Sequence, residues 1–401
     1  MKVEQSHIDK IKSSFSKMQT KEDLVALLSE AKNIMYGEEC KPFQLKGLNY
    51  YSHPDLCKRR YTKFSIPKKS GGKRIINAPV SGLKSILRTL NFILQCIYEP
   101  HSAATGFVAH KSIVDNARIH SGNPYVFNTD LKDFFHSFDR KWVKYGFMIE
   151  PFNLGKERED LAFLLASLCT HPFKINGGVK NVLPQGSPTS PTITNILTVK
   201  LDRRLTGLAK RFGARYSRYA DDITFSAAMN IFKKAKNPVL NEKGSYDDFV
   251  SELERIIQEY GLEINPAKTR LQYNAFRQEV TGLIVNEKVN VRRRYVKQIR
   301  MWLYYWEKYG YIKAEQIFIK DYIKDKGHVK KGKPNFANVV DGKLEFLKMV
   351  KGDDNSTYIR LRDKYDKLKG SNDSFNNILN IWENEGLDKA VKFVHENNIK
   401  L

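Results

Sequence analysis

Apolar residues recur at helical spacing from the start of the chain: Ile8, Ile11, Phe15 and Met18, then Leu24, Leu27, Leu28 and Ile34. That period predicts two short helices across residues 6–35. Further along, the pattern changes. Tyr61-Thr62-Lys63-Phe64-Ser65-Ile66 alternates as a strand does, Pro67 to Gly72 turns, and Lys73 to Asn77 returns, so a basic β-hairpin is expected. Residues 83–98 carry one apolar helical stripe through Leu83, Ile86, Leu87, Leu90, Ile93, Leu94 and Ile97. Residues 125–131 read as a strand that runs into Phe134-Phe135. Residues 183–191 form a rigid loop, in which Ser190 is placed to cap the next helix and Pro191 falls in its first turn. Ile193, Leu197, Leu201, Leu205 and Leu208 then make one stripe. A strand pair, with arms at 215–219 and 223–226, surrounds Tyr219-Ala220-Asp221-Asp222. Residues 246–260 give another amphipathic helix, stopped by Gly261. Residues 371–401 read as one or two terminal helices.

Composition narrows the class. With 401 residues, two or three packed subdomains are expected, and 41% hydrophobic residues exclude global disorder. The net charge of +24 calls for a polyanionic partner, and nucleic acid suits it better than an anionic membrane surface. Two tracts concentrate the charge. Residues 58–74 hold eight basic side chains and no acid, and residues 288–333 hold fourteen against four acids. In the second tract, Arg292, Arg293, Arg294, Lys297 and Arg300 lead into Trp302, Tyr304, Tyr305 and Trp306, a mixture suited to phosphate contact and base stacking. The apolar run near 161–165 is far shorter than the ~18–20 residues of a spanning helix. The N-terminus shows no signal-peptide core, and no membrane association is expected. Cys40, Cys57, Cys96 and Cys169 form no Cys-x-x-Cys pair, so a reducing cytoplasm fits best.

Three acids carry the candidate chemistry. Asp130 closes an apolar strand, and Asp221-Asp222 sit at a hairpin tip. Neighbouring strand residues point to opposite faces. Asp130 and Asp221 are therefore expected as the main ligands, with Asp222 secondary. Converging carboxylates need cations, and hard oxygen ligands favour Mg²⁺. Two such ions would serve in-line phosphoryl transfer.

These residues carry a family resemblance. Tyr219-Ala220-Asp221-Asp222 resembles the Tyr-x-Asp-Asp box of reverse transcriptases, and four other blocks follow in that family's order. The basic hairpin resembles the fingers, and Asp130-Leu131-Lys132-Asp133-Phe134-Phe135 the first palm motif. Leu183-Pro184-Gln185-Gly186-Ser187-Pro188-Thr189-Ser190-Pro191 resembles the second palm motif, and residues 261–268, ending in Asn265-Pro266-Ala267-Lys268, the fourth. The resemblance implies an α+β right-hand polymerase with fingers, a ferredoxin-like palm and a mostly helical, basic thumb. It also implies roles. Asp130, Asp221, Asp222 and the Leu131 carbonyl would hold two Mg²⁺ ions. Lys68 and Arg74 would clamp the triphosphate. Phe135 would exclude a ribose 2′-hydroxyl, Gln185 would lie against nucleotide and template, and Lys268 would protonate the departing pyrophosphate.

Two further blocks resemble bacterial retron enzymes: Asn116-Ala117-Arg118-Ile119-His120, and Val280-Thr281-Gly282 followed by Val289-Asn290-Val291. Asn116 and His120 are expected as architectural or RNA-positioning groups, and Arg292, Arg293, Arg294, Lys297 and Arg300 as RNA contacts. The resemblance implies a structured noncoding RNA as template and primer, priming on an internal guanosine 2′-hydroxyl, and a branched RNA–DNA product. A nearby effector and a role in antiphage defence are implied with it. The expected organisation is an N-terminal helical region at 1–57, fingers at 58–124 and palm at 125–285 (with part of the fingers between 140 and 182). Thumb at 286–370 and a helical extension at 371–401 complete it. His136 departs from the family, standing where a proline is common. A defence-associated reverse transcriptase outside the retron class, a mobile-intron or diversity-generating enzyme, and an RNA-binding scaffold with a vestigial site are the alternatives.

Overall fold

The computed structural model describes residues 4–37, 40–67, 71–175, 177–233, 238–241, 244–326 and 334–396. They form two compact units, Met1–Thr281 and Gly282–Leu401.

The first unit opens with helices α1 (Gln5–Lys17), α2 (Lys21–Tyr36) and α3 (Leu45–Ser52). Thr20 starts α2 through a capping box with Asp23, each satisfying backbone N–H groups of the other's turn. Strands β1 (Tyr61–Pro67) and β2 (Lys73–Pro79) form the expected hairpin, with Arg74 opposite Ile66. Helices α4 (Ser81–Ile97) and α5 (Ile113–His120) lead to β3 (Tyr125–Asp130). After α6 (Arg140–Met148) and α7 (Glu159–Cys169) come a small hairpin of β4 (His171–Ile175) and β5 (Gly178–Val182), then α8 (Ser190–Leu197) and α9 (Val199–Arg211). Strands β6 (Ala214–Tyr219) and β7 (Asp222–Ala227), helix α10 (Phe249–Glu259) and strand β8 (Arg270–Tyr273) complete the central layer.

The central sheet has the order β6-β7-β3-β8, and each of its pairs is antiparallel. With α8–α9 between β3 and β6, and α10 between β7 and β8, this is the ferredoxin-like βαββαβ arrangement expected of the palm. One face packs on α9 and α10, through contacts such as Phe225 and Phe127 against Phe249. The other face carries Asp130, Asn128, Asp222, Thr224 and Ser226 at alternating, paired positions. A continuous apolar core joins the sheet to α1, α2, α4, α7, α8 and α9.

Three local expectations need correction. Ser190 does not cap α8; its hydroxyl donates to the Pro184 carbonyl at 2.8 Å and tightens the preceding loop, while Thr189 holds the cap position. The single stripe from Ile193 to Leu208 is divided between α8 and α9. At the break, the Thr198 hydroxyl donates to the Thr194 carbonyl at 2.7 Å, a back-bond that bends helices. Helix α10 begins at Phe249, because the Asp248 side chain accepts from the Ser251 N–H and caps it there.

The second unit is helical: α11 (Arg293–Lys326), α12 (Phe336–Lys351), α13 (Ser356–Glu385) and α14 (Leu387–Glu396). Gly310, at φ 78° and ψ 169°, breaks α11. Ile299, Trp302, Leu303 and Trp306 lie at i, i+3, i+4 and i+7 and are buried, with Trp302 edge-on to Phe318 at 5.0 Å. The two tryptophans are therefore core residues rather than base-stacking groups, while Tyr304 remains exposed. The boundary expected at 370/371 falls inside the continuous α13.

Candidate active site

The acids meet at one end of the central sheet. Asp130 ends β3, and its cross-strand partner is Asp222, the first residue of β7. Directly opposed residues share a face, so Asp222 is not turned away from Asp130, as the alternation of neighbouring strand residues had suggested. Asp221 joins them because the turn bends at Ala220, which has φ +59° in the left-handed region. The Leu131 N–H donates to the Asp221 carbonyl at 3.0 Å, tying the two segments together. Burial first, and then the Asp130 charge, raise the Asp221 carboxyl above its ordinary range. Asp222 is pushed up to about 6 by desolvation, then by Asp221 and Asp130.

Lys268 belongs to this cluster. The Asn265 N–H donates to the Asp130 carbonyl at 2.7 Å, which brings the turn Pro266–Lys268 against β3. The Lys268 ammonium then donates to Asp130 Oδ1 at 2.7 Å. Burial alone would lower this lysine, but the Asp130 hydrogen bond and the three carboxylates raise it overall. Among the described residues, no three His, Cys, Asp or Glu side chains close into an ion cage as they stand. The donor chemistry nevertheless fits divalent ions: clustered hard oxygens, two with raised affinity for positive charge, and a lysine in the counter-ion position.

The remaining expected residues fall into three groups. Arg74 is exposed on β2, and its guanidinium is near enough to draw the Asp221 carboxyl downward, the last of the influences on that group. Phe135 and Gln185 are half-buried on adjoining segments, since the Leu183 N–H donates to the Phe138 carbonyl at 3.1 Å. The Gln185 carbonyl accepts from the Asn77 N–H at 2.8 Å, so its loop docks on β2. Gly186, at φ +116°, is the reason it can. A Cβ there would lie 2.7 Å from the Asn77 carbonyl oxygen, so its closeness serves the hairpin. Lys68 lies outside the described residues.

Asn116 and His120 do not face solvent. Both are buried under β6 and β7. Asn116 Oδ1 accepts from the Thr105 and Ser217 hydroxyls, each at 2.7 Å. The Ser217 proton is thereby used, so His120 Nε2 donates to Ser217 Oγ (2.7 Å) while Nδ1 accepts from Ser226 Oγ (2.8 Å). Burial, and then Arg215, push this imidazole down to about 3. Of the two roles expected for them, architectural or RNA-positioning, this buried network fits the architectural one. Arg292, Arg293, Arg294, Lys297 and Arg300 are exposed on and before the first turns of α11.

The chain matches the reverse transcriptase (RNA-dependent DNA polymerase) family over residues 66–299, more than half its length. Retron Mx162 reverse transcriptase of Myxococcus xanthus is 39% identical over 261 residues, covering 60% of this chain and 51% of that protein. Retron Ec86 reverse transcriptase of Escherichia coli is 35% identical over 248 residues, covering 60% of this chain and 68% of that protein. The chain belongs to the retron-type reverse transcriptases of bacteria. Retron Mx65 reverse transcriptase of Myxococcus xanthus is 35% identical over 272 residues, or 64% of this chain and 59% of that protein. This retron-type chain thus spans about half the length of the Myxococcus relatives it matches. Its right-hand polymerase fold follows from the family, which depends on divalent metal. Among the described residues, no helix is long and apolar enough to cross a membrane.

Sequence reasoning missed the residues that hold the Tyr219–Asp222 turn of this reverse transcriptase family member. Arg218 is fully buried. Its Nε and Nη2 donate to the Asp202 carboxylate at 2.8 and 2.6 Å, and its Nη1 donates to the Ala220 carbonyl at 3.0 Å. Gly106 lies against the same turn, where a Cβ would come 2.6 Å from the Ala220 nitrogen. An arginine three positions before the acid pair is the only signal in the sequence, and it reads there as one more basic residue. Arg60, inside the basic tract, is also buried and donates to the carbonyls of Ser167 and Leu168 at the end of α7.

Proposed function

We propose that this protein is an RNA-directed DNA polymerase that copies part of a cognate, structured noncoding RNA into branched single-stranded DNA. The observation that supports it most is the gathering of Asp130, Asp221 and Asp222 at one end of the central sheet, with raised proton affinity on two of them. These carboxylates, with the Leu131 carbonyl, would hold two Mg²⁺ ions. Bound there, the ions would activate the attacking hydroxyl and stabilise the leaving oxygen of an in-line displacement.

The chain's own groups supply the remainder. Arg74 grips the triphosphate through its planar guanidinium, and Lys68, next in sequence after Pro67, adds a point charge. Exposed Phe64 and Ile66 share the hairpin face that carries Arg74 and give it an apolar surface for the incoming nucleotide and template. Phe135 excludes a ribose 2′-hydroxyl by overlap, and Gln185 lies beside it against the nucleotide. Lys268 Nζ neutralises Asp130 in the absence of substrate and passes a proton to the departing pyrophosphate. We assign fingers to 58–124 with elements between 140 and 182, palm to 125–285 and thumb to the region after 286. The exposed arginines of α11 contact the RNA. We extend the reading to antiphage defence beside an effector encoded nearby, tested by phage plating on cells carrying the locus.

Asp221→Asn keeps the size of the side chain and removes its charge. Extension of an RNA-templated primer with Mg²⁺ and deoxynucleotides is expected to fall to background while RNA binding persists. Undiminished extension would remove Asp221 from the metal site, and an inactive wild type would favour an RNA-binding scaffold.

A further inference from the structure

Crowded like charges raise one another's energy, so surface lysines and arginines usually spread apart or pair with acids. In the second unit, basic side chains gather around one groove. A groove of about 660 Å³ opens where the start of α11, the end of α12 and the start of α13 meet. Arg293, Arg294, Lys297, Arg300 and Lys351 line it, with Thr357 as a neutral donor, and no carboxylate is among its lining residues. Lys351 is the surprising member. It lies some fifty residues from the arginine tract in sequence, and only the fold brings it in. Burial, and then Lys288 and Arg300, hold its ammonium below the ordinary lysine range.

Arg293, Lys297 and Arg300 stand at i, i+4 and i+7, so they form one stripe along about 10 Å of α11. The groove is concave and has the volume of a small-ligand site. An A-form duplex is stiff and holds its two backbones apart across a wide, shallow minor groove, so it cannot fold its phosphates into a cleft of this size. A single strand can bend into such a cleft and turn its phosphates toward the cations.

We propose that this groove holds the sugar–phosphate backbone of a single-stranded nucleic-acid segment, with Lys351 as the inner phosphate contact and the α11 stripe as the wall. The inference rests on the RNA-binding reading above and deepens it by naming the state of the strand.

The test is binding of the full chain to two RNA probes without Mg²⁺ or deoxynucleotides: a labelled oligouridylate and a blunt, short-looped hairpin. Lys351→Met keeps the aliphatic stem and removes the charge. It should weaken oligouridylate binding about five- to tenfold and reduce the slope of log affinity against log salt by about 0.7. Hairpin affinity should move less than about twofold. Lys351→Arg should restore the wild-type values. Lys297→Met, at an exposed position, should weaken the oligouridylate in the same selective way even if Lys351→Met folds poorly. Equal losses on both probes would mean that the groove receives duplex, and unchanged binding to both would return it to solvated surface; either overturns the proposal. Extension of a preannealed primer by the wild type reports separately on the polymerase reading, so one can fail while the other stands.

Discussion

A histidine whose two ring nitrogens are both committed to buried hydroxyls has no place for an added proton. His120 is in that position, with its pKa pushed from 6.5 to about 3. The sign follows directly. Below pH 6.5 the unfolded chain binds a proton that the folded chain refuses, so this stability is full above 6.5 and drains as pH falls toward 3. Each pH unit in that window costs up to about 1.4 kcal/mol. Denaturant titrations between pH 4.5 and 7.5 should show a shallower fall in His120→Gln than in the wild type, whatever His136 and His171 contribute to both. Phe135 illustrates the opposite kind of residue, one whose neighbours leave it half open. Phe135→Ala should raise ribonucleotide relative to deoxynucleotide incorporation by about tenfold or more, read from competing single-nucleotide extensions. Unchanged sugar selection would place the gate on another side chain.

Elements, rather than single residues, hold the turn of the acid pair in place. Helix α9 offers Asp202, strand β6 offers Arg218, and the guanidinium reaches on to the Ala220 carbonyl beneath the acid pair. Both charges are fully buried. Removing one partner strands the other in a low-dielectric interior, at a cost of about 3–5 kcal/mol. Asp202→Ala should lose stability of that order in urea titrations, and a loss below about 1 kcal/mol would mean that water or another group takes over the guanidinium. The hairpin β1–β2 is set by a similar dependence between elements, because Gly186 admits the Asn77 backbone where a side chain would not fit. Hydrophobic period foretold both helices and strands well. It could not foretell the break at Thr198, since the apolar stripe continues through it and only a hydroxyl back-bond bends the chain.

Across the whole molecule, the excess of +24 sets how strongly any polyanion is drawn in. Each phosphate contact made by a lysine or arginine steepens the fall of affinity with salt by about 0.9 on duplex. Replacing Arg292, Arg293 and Arg294 with glutamine should therefore weaken RNA binding and flatten its salt dependence, most visibly between 50 and 200 mM salt. An identical slope would mean that those side chains stay solvated when RNA binds. The two compact units divide between Thr281 and Gly282. That division lies close to the palm–thumb boundary expected from sequence at 285/286. Nothing in the composition marked the continuity of α13 through residue 370, because polar helix and linker have similar residues there.

The order of the blocks along the chain, the strand carrying Asp130, the acid pair at a hairpin tip and the basic hairpin ahead of them were all legible in the amino acids. Each depends on local period, turn chemistry or motif spacing, which a linear reading preserves. The fold alone decided which way side chains face. Trp302 and Trp306 turned inward with the phase of α11, and Arg60 went to the end of α7. Asn116 and His120 became a buried network, and Asp222 came opposite Asp130 through strand register. Lys351 joined the arginine stripe for the same reason. Inside and outside are properties of packing between distant segments, and a run of charges or rings looks the same in sequence whichever way it turns.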